Sequence, residues 1–281
     1  MKEVGVFYHP AFKTLGFLTL RPRLQDFPGA LDAVRQRPNV HLCECPRATR
    51  EMILKVHPWE MVAMVDLEDQ CRTAYESAGG VVAGMEALAR GELDRVFCFT
   101  GTGGHHAGRR EFWDSSCFND VVIALTHVRE VSPLRRFAII DTDADHAGGT
   151  LQLLDEDEGV LHLCFCHSDY CSLDRRALEI NVFRPQDQAI PGQYLEKVRR
   201  HLPLVQDFRP DLLIWYCGFN SHRDDYASLG LVEADYLGVC DLLAALAGEL
   251  GIPMQVVLGG GSLRQVATAT IPGIIQRLAE D

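Results

Sequence analysis

The sequence predicts an α/β fold built on a mainly parallel β-sheet. Short runs of β-branched and aromatic residues alternate with segments whose apolar residues recur at helical spacing, a pattern typical of repeated strand–helix–strand units. The chain has no internal repeat and no linker rich in proline, glycine or serine. A length of 281 residues is normal for one α/β domain with a large core, so we predict a single domain over residues 1–281.

Strands and helices alternate along the chain. The predicted strands are Val4–Tyr8, Arg95–Phe99, Phe137–Ile140, Val160–Cys166, Leu212–Cys217 and Met254–Leu258. The predicted helices cover residues 72–90, 192–207, 233–250 and 263–279. Gly251 follows the third helix, where a glycine commonly ends a helix. The polar segment 168–192 is predicted to be a connection at the surface.

Composition and charge exclude several classes of protein. Apolar residues at 47% and charged residues at 23% are ordinary for a globular chain. The net charge of -12 disfavours binding to nucleic acid or to an anionic membrane. We find neither the roughly 20 consecutive apolar residues of a membrane-spanning helix nor the layout of a signal peptide. We therefore expect a cytoplasmic protein with no nucleic-acid or membrane partner.

The ten cysteines mostly lie in apolar runs without CxxC spacing. This pattern indicates buried free thiols rather than disulfides or metal ligands, and it includes isolated residues such as Cys117. Cys164 and Cys166 fall in one predicted strand, where a spacing of two places both side chains on the same face.

Four polar clusters each follow a predicted strand. They cover residues 100–106, 141–150, 218–225 and 259–262. In an open α/β sheet the functional cleft lies beyond the carboxyl ends of the strands. We therefore predict that these four clusters meet in one cleft.

The first cluster places two adjacent histidines, His105 and His106, on a glycine-rich turn. Glycine allows close approach of the backbone, and histidine exchanges protons near neutral pH, so the pair suits proton transfer or metal binding. Solvated or capping histidines are the alternative from this segment alone. A phosphate-binding loop is disfavoured because the expected Lys-Ser/Thr is missing.

The second cluster contains Asp141, Asp143 and Asp145 at alternating positions after a strand. Their side chains tend to share one side, where uncompensated carboxylates repel each other. A cation is one remedy, and oxygen ligands favour Mg²⁺, Ca²⁺ or Mn²⁺ over zinc. A solvated acidic turn or a helix N-terminus is the alternative. The third cluster, around Asn220, is by itself compatible with a simple polar loop.

Taken together, these segments resemble the histone deacetylase and acetylpolyamine amidohydrolase family, which shares its fold with the arginases. The resemblance spans nearly the whole chain. The matching blocks are Arg21–Leu24, Ile53–His57, Gly104–Ala107 with Asn119–Asp120, Asp141–Thr150, Ile180–Val182, Gly218–Asp225 and Gly259–Gly261. The resemblance implies a three-layer α/β/α architecture with a mainly parallel central sheet.

The resemblance also implies site residues. In the family a zinc ion held by Asp, His and Asp activates water for attack on an acetyl-lysine-type amide, and a tyrosine stabilises the oxyanion. Carried over, His105 and His106 are the proton-transfer pair, and Asp141 is the carboxylate that orients the first histidine. Asp143 matches the first zinc ligand. Ser262 stands at the tyrosine position and is the fourth candidate catalytic residue.

Several positions depart from the family pattern. Asp145 replaces the ligand histidine, and Asn220 replaces the second ligand aspartate. Gly148 stands where the family has the group that orients the second histidine, and Ser115 where it has an aromatic wall of the acyl tunnel. The remaining candidate metal ligands, Asp143, Asp145 and Asn220, form an oxygen set that binds zinc poorly.

Three functions are compatible with this pattern. The retained histidine pair favours a divergent hydrolase that acts on an amide or acyl bond of a small molecule or acyl-lysine-type substrate, with an altered divalent metal site. Mn²⁺, Mg²⁺ or Ca²⁺ then replaces zinc, or the metal is absent. The alternative is a catalytically inactive deacetylase-fold binding protein. An arginase-like hydrolase is disfavoured because its two-metal ligand set cannot be assembled.

Overall fold

The computed structural model describes residues 1–183 and 192–280, whose strands form one sheet. The strands are β1 (Val4–Tyr8), β2 (Val40–Glu44), β3 (Arg95–Cys98), β4 (Phe137–Asp141), β5 (Val160–Cys166), β6 (Tyr170–Cys171), β7 (Ala177–Asn181), β8 (Leu212–Cys217) and β9 (Met254–Leu258). Their order is β2-β1-β3-β9-β8-β4-β5-β7-β6. Among these strands, β6 pairs with β7 antiparallel and the other pairings are parallel.

Helices cover both faces of the sheet. They are α1 (Phe12–Leu15), α2 (Arg50–Leu54), α3 (Trp59–Leu67), α4 (Ala74–Ala89), α5 (Asp120–Val131), α6 (Gly148–Leu154), α7 (Gln193–Phe208), α8 (Glu233–Leu250) and α9 (Arg264–Leu278). Short 3-10 turns occur at Arg21–Leu24, Gly29–Leu31, Val34–Gln36, Asp69–Cys71 and Phe219–Ser221. Every helix in residues 1–183 and 192–280 is too short or too polar to cross a lipid bilayer.

The central strands are apolar along their whole length because both of their sides are covered. All residues of β1, β3, β4, β5, β8 and β9 are buried. On one face, Gly84 of α4 lies close to Val96 and Cys98 of β3. On the opposite face, Phe165 of β5 packs against Tyr194 of α7. The predicted three-layer α/β/α architecture is therefore confirmed.

The six predicted strands and four predicted helices are present, with ends that differ by no more than two residues. The prediction of a surface connection over residues 168–192 is wrong in part, because β6 and β7 within it extend the sheet. Residues 184–191 of that segment lie outside the described residues. The prediction of a free thiol is also wrong for Cys117, which forms a disulfide with Cys71.

Candidate functional site

The predicted convergence of the strand ends is observed. Strands β3, β9, β8 and β4 are successive neighbours in the sheet. Their carboxyl ends bring His105, Gly260, Asn220 and Asp143 around one pocket. The pocket has a volume of about 10 Å³, which is the room of a single water molecule. The cleft is thus formed, but its interior is nearly filled by protein.

The two histidines are buried and linked to each other. His105 Nδ1 lies 3.0 Å from Asp141 Oδ2, and His105 Nε2 lies 3.1 Å from His106 Nε2. The ring of Tyr216 stacks on His105 with 4.8 Å between ring centres, and its hydroxyl accepts a hydrogen bond from the Gly104 N–H at 2.9 Å. The structure therefore forms the predicted chain of a carboxylate and two imidazoles.

Among the hydrogen-bonded side chains of Asp141, His105 and His106, the positive charge lies on His105. Burial lowers the pKa of His105, but the charges of Asp143 and Asp141 outweigh it and raise that pKa to about 9. Burial raises the pKa of Asp141, but the charge and hydrogen bond of His105 prevail and hold it at about 2. Burial and the neighbouring His105 charge lower the pKa of His106 to about 2. At neutral pH, His106 is therefore a neutral imidazole that can accept a proton.

Asn220 joins the two remaining carboxylates. Its Nδ2 donates to Asp143 Oδ1 at 2.5 Å and to Asp145 Oδ2 at 3.0 Å. Its Oδ1 accepts the Ala144 N–H at 3.3 Å. Because a backbone N–H can only donate, this last bond fixes which end of the amide faces the carboxylates. An amide N–H₂ thus stands between the two carboxylates, where a cation was one of the predicted possibilities.

A glycine loop completes the enclosure of Asp143. The Gly260 N–H donates to Asp143 Oδ2 at 2.7 Å, and the Asp145 N–H donates to Asp143 Oδ1 at 3.1 Å. The Gly260 carbonyl in turn accepts a hydrogen bond of 2.6 Å from Nη1 of Arg23, which is fully buried. Both oxygens of Asp143 are therefore already bonded to N–H groups of the protein.

These residues, as arranged, do not fit zinc. A zinc site presents lone pairs of sulfur, nitrogen or oxygen towards a common point. Here Asn220 presents N–H groups towards Asp143 and Asp145, and its side-chain oxygen accepts a hydrogen bond from the Ala144 N–H. We therefore derive no step that uses zinc. The assignment of Asp143, Asp145 and Asn220 as metal ligands stays a prediction.

Ser262 is separated from the other candidate residues. Its hydroxyl donates to Asp225 Oδ1 at 2.8 Å and its N–H to Asp225 Oδ2 at 2.8 Å, and the residue does not line the pocket. Tyr226 does line the pocket, and its hydroxyl accepts the Gly261 N–H at 3.3 Å. A phenol is thus present at the cleft, although it comes from a different loop than the resemblance implies.

The rim of the cleft is aromatic and acidic. Trp113 stacks on His106 with 4.0 Å between ring centres, and 55% of its surface is exposed. Asp114 and Tyr226 line the same pocket, and Tyr226 is 56% exposed. Ser115, at the position of the expected tunnel wall, is buried beside them.

Three of these residues were not singled out by sequence reasoning. Tyr216 lies inside an apolar strand, where a tyrosine cannot be distinguished from core. Trp113 and Tyr226 lie in loops. The one signal that could have found them is that each is an aromatic residue in a loop close to a sequence motif. Arg23 belongs to one of the segments that resemble the family. Its hydrogen bond to the Gly260 carbonyl joins positions far apart in the sequence, so it could not be predicted.

The sheet order, the helical layers and the cleft of paired histidines define the arginase-deacetylase fold. The crystal structure of the HDA15 HD domain superposes on it with a TM-score of 0.83, covering 99% of this chain and 90% of that chain at 19% sequence identity. Residues 66–275 match the histone deacetylase domain model. The chain belongs to the histone deacetylase family, a family of deacetylase-like hydrolases.

Curated relatives match the chain at somewhat higher sequence identity than this structure. The chain is 24% identical over 245 residues to type-2 histone deacetylase 2 of Dictyostelium discoideum, covering 75% of this chain and 14% of that protein. It is 26% identical over 261 residues to the polyamine deacetylase HDAC10 of Rattus norvegicus, covering 78% and 44% respectively. The match thus spans less than half the length of both relatives.

Proposed function

We propose that this chain is a deacetylase-fold binding protein that does not hydrolyse its ligand by the zinc route of the family. Its ligand class is a small molecule or peptide that carries a cationic amine, held at the mouth of the cleft. The observation that carries the proposal is the Asn220 amide, which donates to both Asp143 and Asp145.

The amide argues against metal-assisted hydrolysis for an electrostatic reason. Hydrolysis by the family route needs a cation that lowers the pKa of water and stabilises the oxyanion. Asn220 is neutral, so it satisfies the carboxylates without supplying that positive charge. Ser262 is bonded to Asp225 and is too short to replace a tyrosine as oxyanion donor.

The ligand class follows from the rim. Asp114, Asp143 and Asp145 line the pocket, and no lysine or arginine is found among the described lining residues. The imidazolium of His105 is already balanced by Asp141. The surplus of negative charge attracts an ammonium group, and the exposed face of Trp113 offers a cation–π contact of about 0.5–1 kcal/mol. A relative in the family is named for polyamine deacetylation.

The test combines turnover with binding. Purified protein with added Zn²⁺ or Mn²⁺ is assayed on an acetyl-lysine peptide and on an N-acetylated polyamine, and the corresponding free amines are titrated by calorimetry. We expect no turnover above that of the His106→Ala variant. We expect amine binding that weakens about fivefold in Trp113→Ala, the loss of about 1 kcal/mol. Trp59→Ala, at an exposed tryptophan on α3, is the matched control and should bind like wild type.

A second candidate is the hydrolase with an altered metal site, acting on an amide or acyl bond of a small-molecule or acyl-lysine-type substrate. The specific observation in its favour is the intact chain of Asp141, His105 and His106, with a neutral His106 facing the pocket. Metal-dependent turnover that disappears in His106→Ala would establish this candidate and refute the first. Absence of both turnover and amine binding would refute both.

A further inference from the structure

A second group of ligating side chains lies outside the cleft pocket, packed against Ala147 at the start of helix α6. Cys164 and Cys166 lie on the same face of β5, and both are fully buried. Glu179 of β7 pairs in register with Cys164 and is also buried. The two sulfur atoms and a carboxylate oxygen of Glu179 all lie within 4.8 Å of one another.

His146 lies beside Glu179, outside the set of ligand atoms that lie within 4.8 Å of one another. It follows β4, and its Nδ1 is hydrogen-bonded to Glu179 Oε1. Its side chain is 51% exposed, whereas that of Glu179 is 3% exposed. The three inner groups are therefore held at buried strand positions, while the imidazole is half-exposed.

The chemistry of the four groups differs from that of the cleft. Two thiols, one carboxylate and one imidazole are the ligand types of a four-coordinate site for a thiophilic divalent ion of the zinc class. Glu179 is hydrogen-bonded to the His146 imidazole, and a divalent ion would add positive charge beside this buried carboxylate. The hydrogen bond with Cys166, and then burial, raise the pKa of Cys164, and a bound divalent ion would deprotonate both thiols on coordination.

We propose that Cys164, Cys166 and Glu179 form a thiolate metal site that is separate from the cleft, with the His146 imidazole turning in from Glu179 as the fourth ligand. None of these four residues lines the pocket around Asp143. The proposal does not depend on the proposed function, because it uses different residues and a different ligand chemistry. The two sites are neighbours, because His146 directly follows Asp145 of the cleft and Cys164 pairs with Asp141 across adjacent strands.

Cobalt titration of the full chain tests this site. Co²⁺ is added to the metal-free protein under a non-thiol reductant, and absorption is recorded in the thiolate-to-cobalt charge-transfer region. We expect a charge-transfer band that saturates at one equivalent. The band should be lost in Cys166→Ser and retained in Cys171→Ser, a matched control at an exposed free cysteine. It should also be retained in Asp143→Asn, which separates this site from the cleft.

Two further variants keep the test decisive if Cys166→Ser fails to fold. Glu179→Gln and His146→Ala each remove one ligand while leaving both thiols in place. Each should weaken Co²⁺ binding at least about tenfold, the scale of effect known for groups that support a metal site. The proposal is overturned if wild type gives no charge-transfer band, if folded Cys166→Ser keeps the band, or if neither of these two variants weakens binding.

Discussion

Replacing Asn220 by aspartate removes the N–H₂ group that donates to Asp143 and Asp145 and puts a third carboxylate in its place. The two hydrogen bonds, at 2.5 and 3.0 Å, are made to charged acceptors in a buried site. Each such bond contributes about 1.5–3 kcal/mol. The variant loses both hydrogen bonds and gains repulsion among three carboxylates. We therefore expect its free energy of unfolding to be about 3–5 kcal/mol lower than that of wild type in metal-free buffer at pH 7.5.

The assay is urea unfolding of wild type and Asn220→Asp, first in EDTA and then in Mn²⁺. Mn²⁺ is chosen because it prefers carboxylates and binds thiolates weakly. The variant should regain stability in Mn²⁺, by about 2.7 kcal/mol when the ion is at 100 times its Kd. Wild type should be indifferent to Mn²⁺.

Asn181→Asp is the matched control for that experiment, because the Asn181 side-chain oxygen accepts the Phe183 N–H and an aspartate retains this acceptor. The control should unfold within about 0.5 kcal/mol of wild type. If Asn220→Asp in EDTA also stays within that range, the assignment of a stabilising amide between the carboxylates is refuted.

Three further variants test the surroundings of the cleft by urea unfolding. In Gly260→Ala, the added Cβ would lie 2.8 Å from Asp143 Oδ2 and 2.9 Å from Asn220 Nδ2, so we expect a loss of about 1–3 kcal/mol. Gly248→Ala, on α8 with nothing within 4 Å, should instead gain up to about 1 kcal/mol, and equal effects of the two would contradict this account. Tyr216→Phe removes the buried acceptor of the Gly104 N–H and should cost about 1–2 kcal/mol, whereas the exposed Tyr170→Phe should be neutral; a neutral Tyr216→Phe would show that this bond is not stabilising. Burial raises the pKa of Asp120 from 3.8 to about 7, so the folded state holds a proton that the unfolded state releases, and wild-type stability falls as pH rises between these values. Asp120→Asn lacks this titration, so its advantage over wild type should grow by about 3 kcal/mol from pH 5 to pH 8, and a pH-independent difference would refute the assigned pKa.

The central part of the fold was predictable because its strands are buried on both faces. Apolar runs such as Val160–Cys166 and Leu212–Cys217 are long enough and sharply enough bounded to be assigned from the sequence. The edge strand Val40–Glu44 was missed because the exposed polar residues His41 and Glu44 interrupt its apolar run. Helix Asp120–Val131 was missed because its many β-branched residues give no clear helical period.

The candidate site was predictable in its location but not in its internal bonding. Parallel strands end at the same edge of a sheet, which is why His105, Asp143 and Asn220 could be assigned to one cleft. The orientation of Asn220 could not be predicted, because an amide offers both a donor and an acceptor and the choice depends on the Ala144 N–H. The position of Ser262 depends on its bonds to Asp225, which no spacing rule supplies.

An amide between two carboxylates also has a consequence for the physiology of the protein. A metalloenzyme of this fold changes state with the supply of its ion, because an empty site leaves like charges facing each other. Here the group between the carboxylates is the side chain of Asn220, which is part of the protein and does not have to be supplied from solution as a metal ion does. The cleft itself should therefore keep one shape through zinc starvation and zinc excess alike, because no ion has to enter between Asp143 and Asp145.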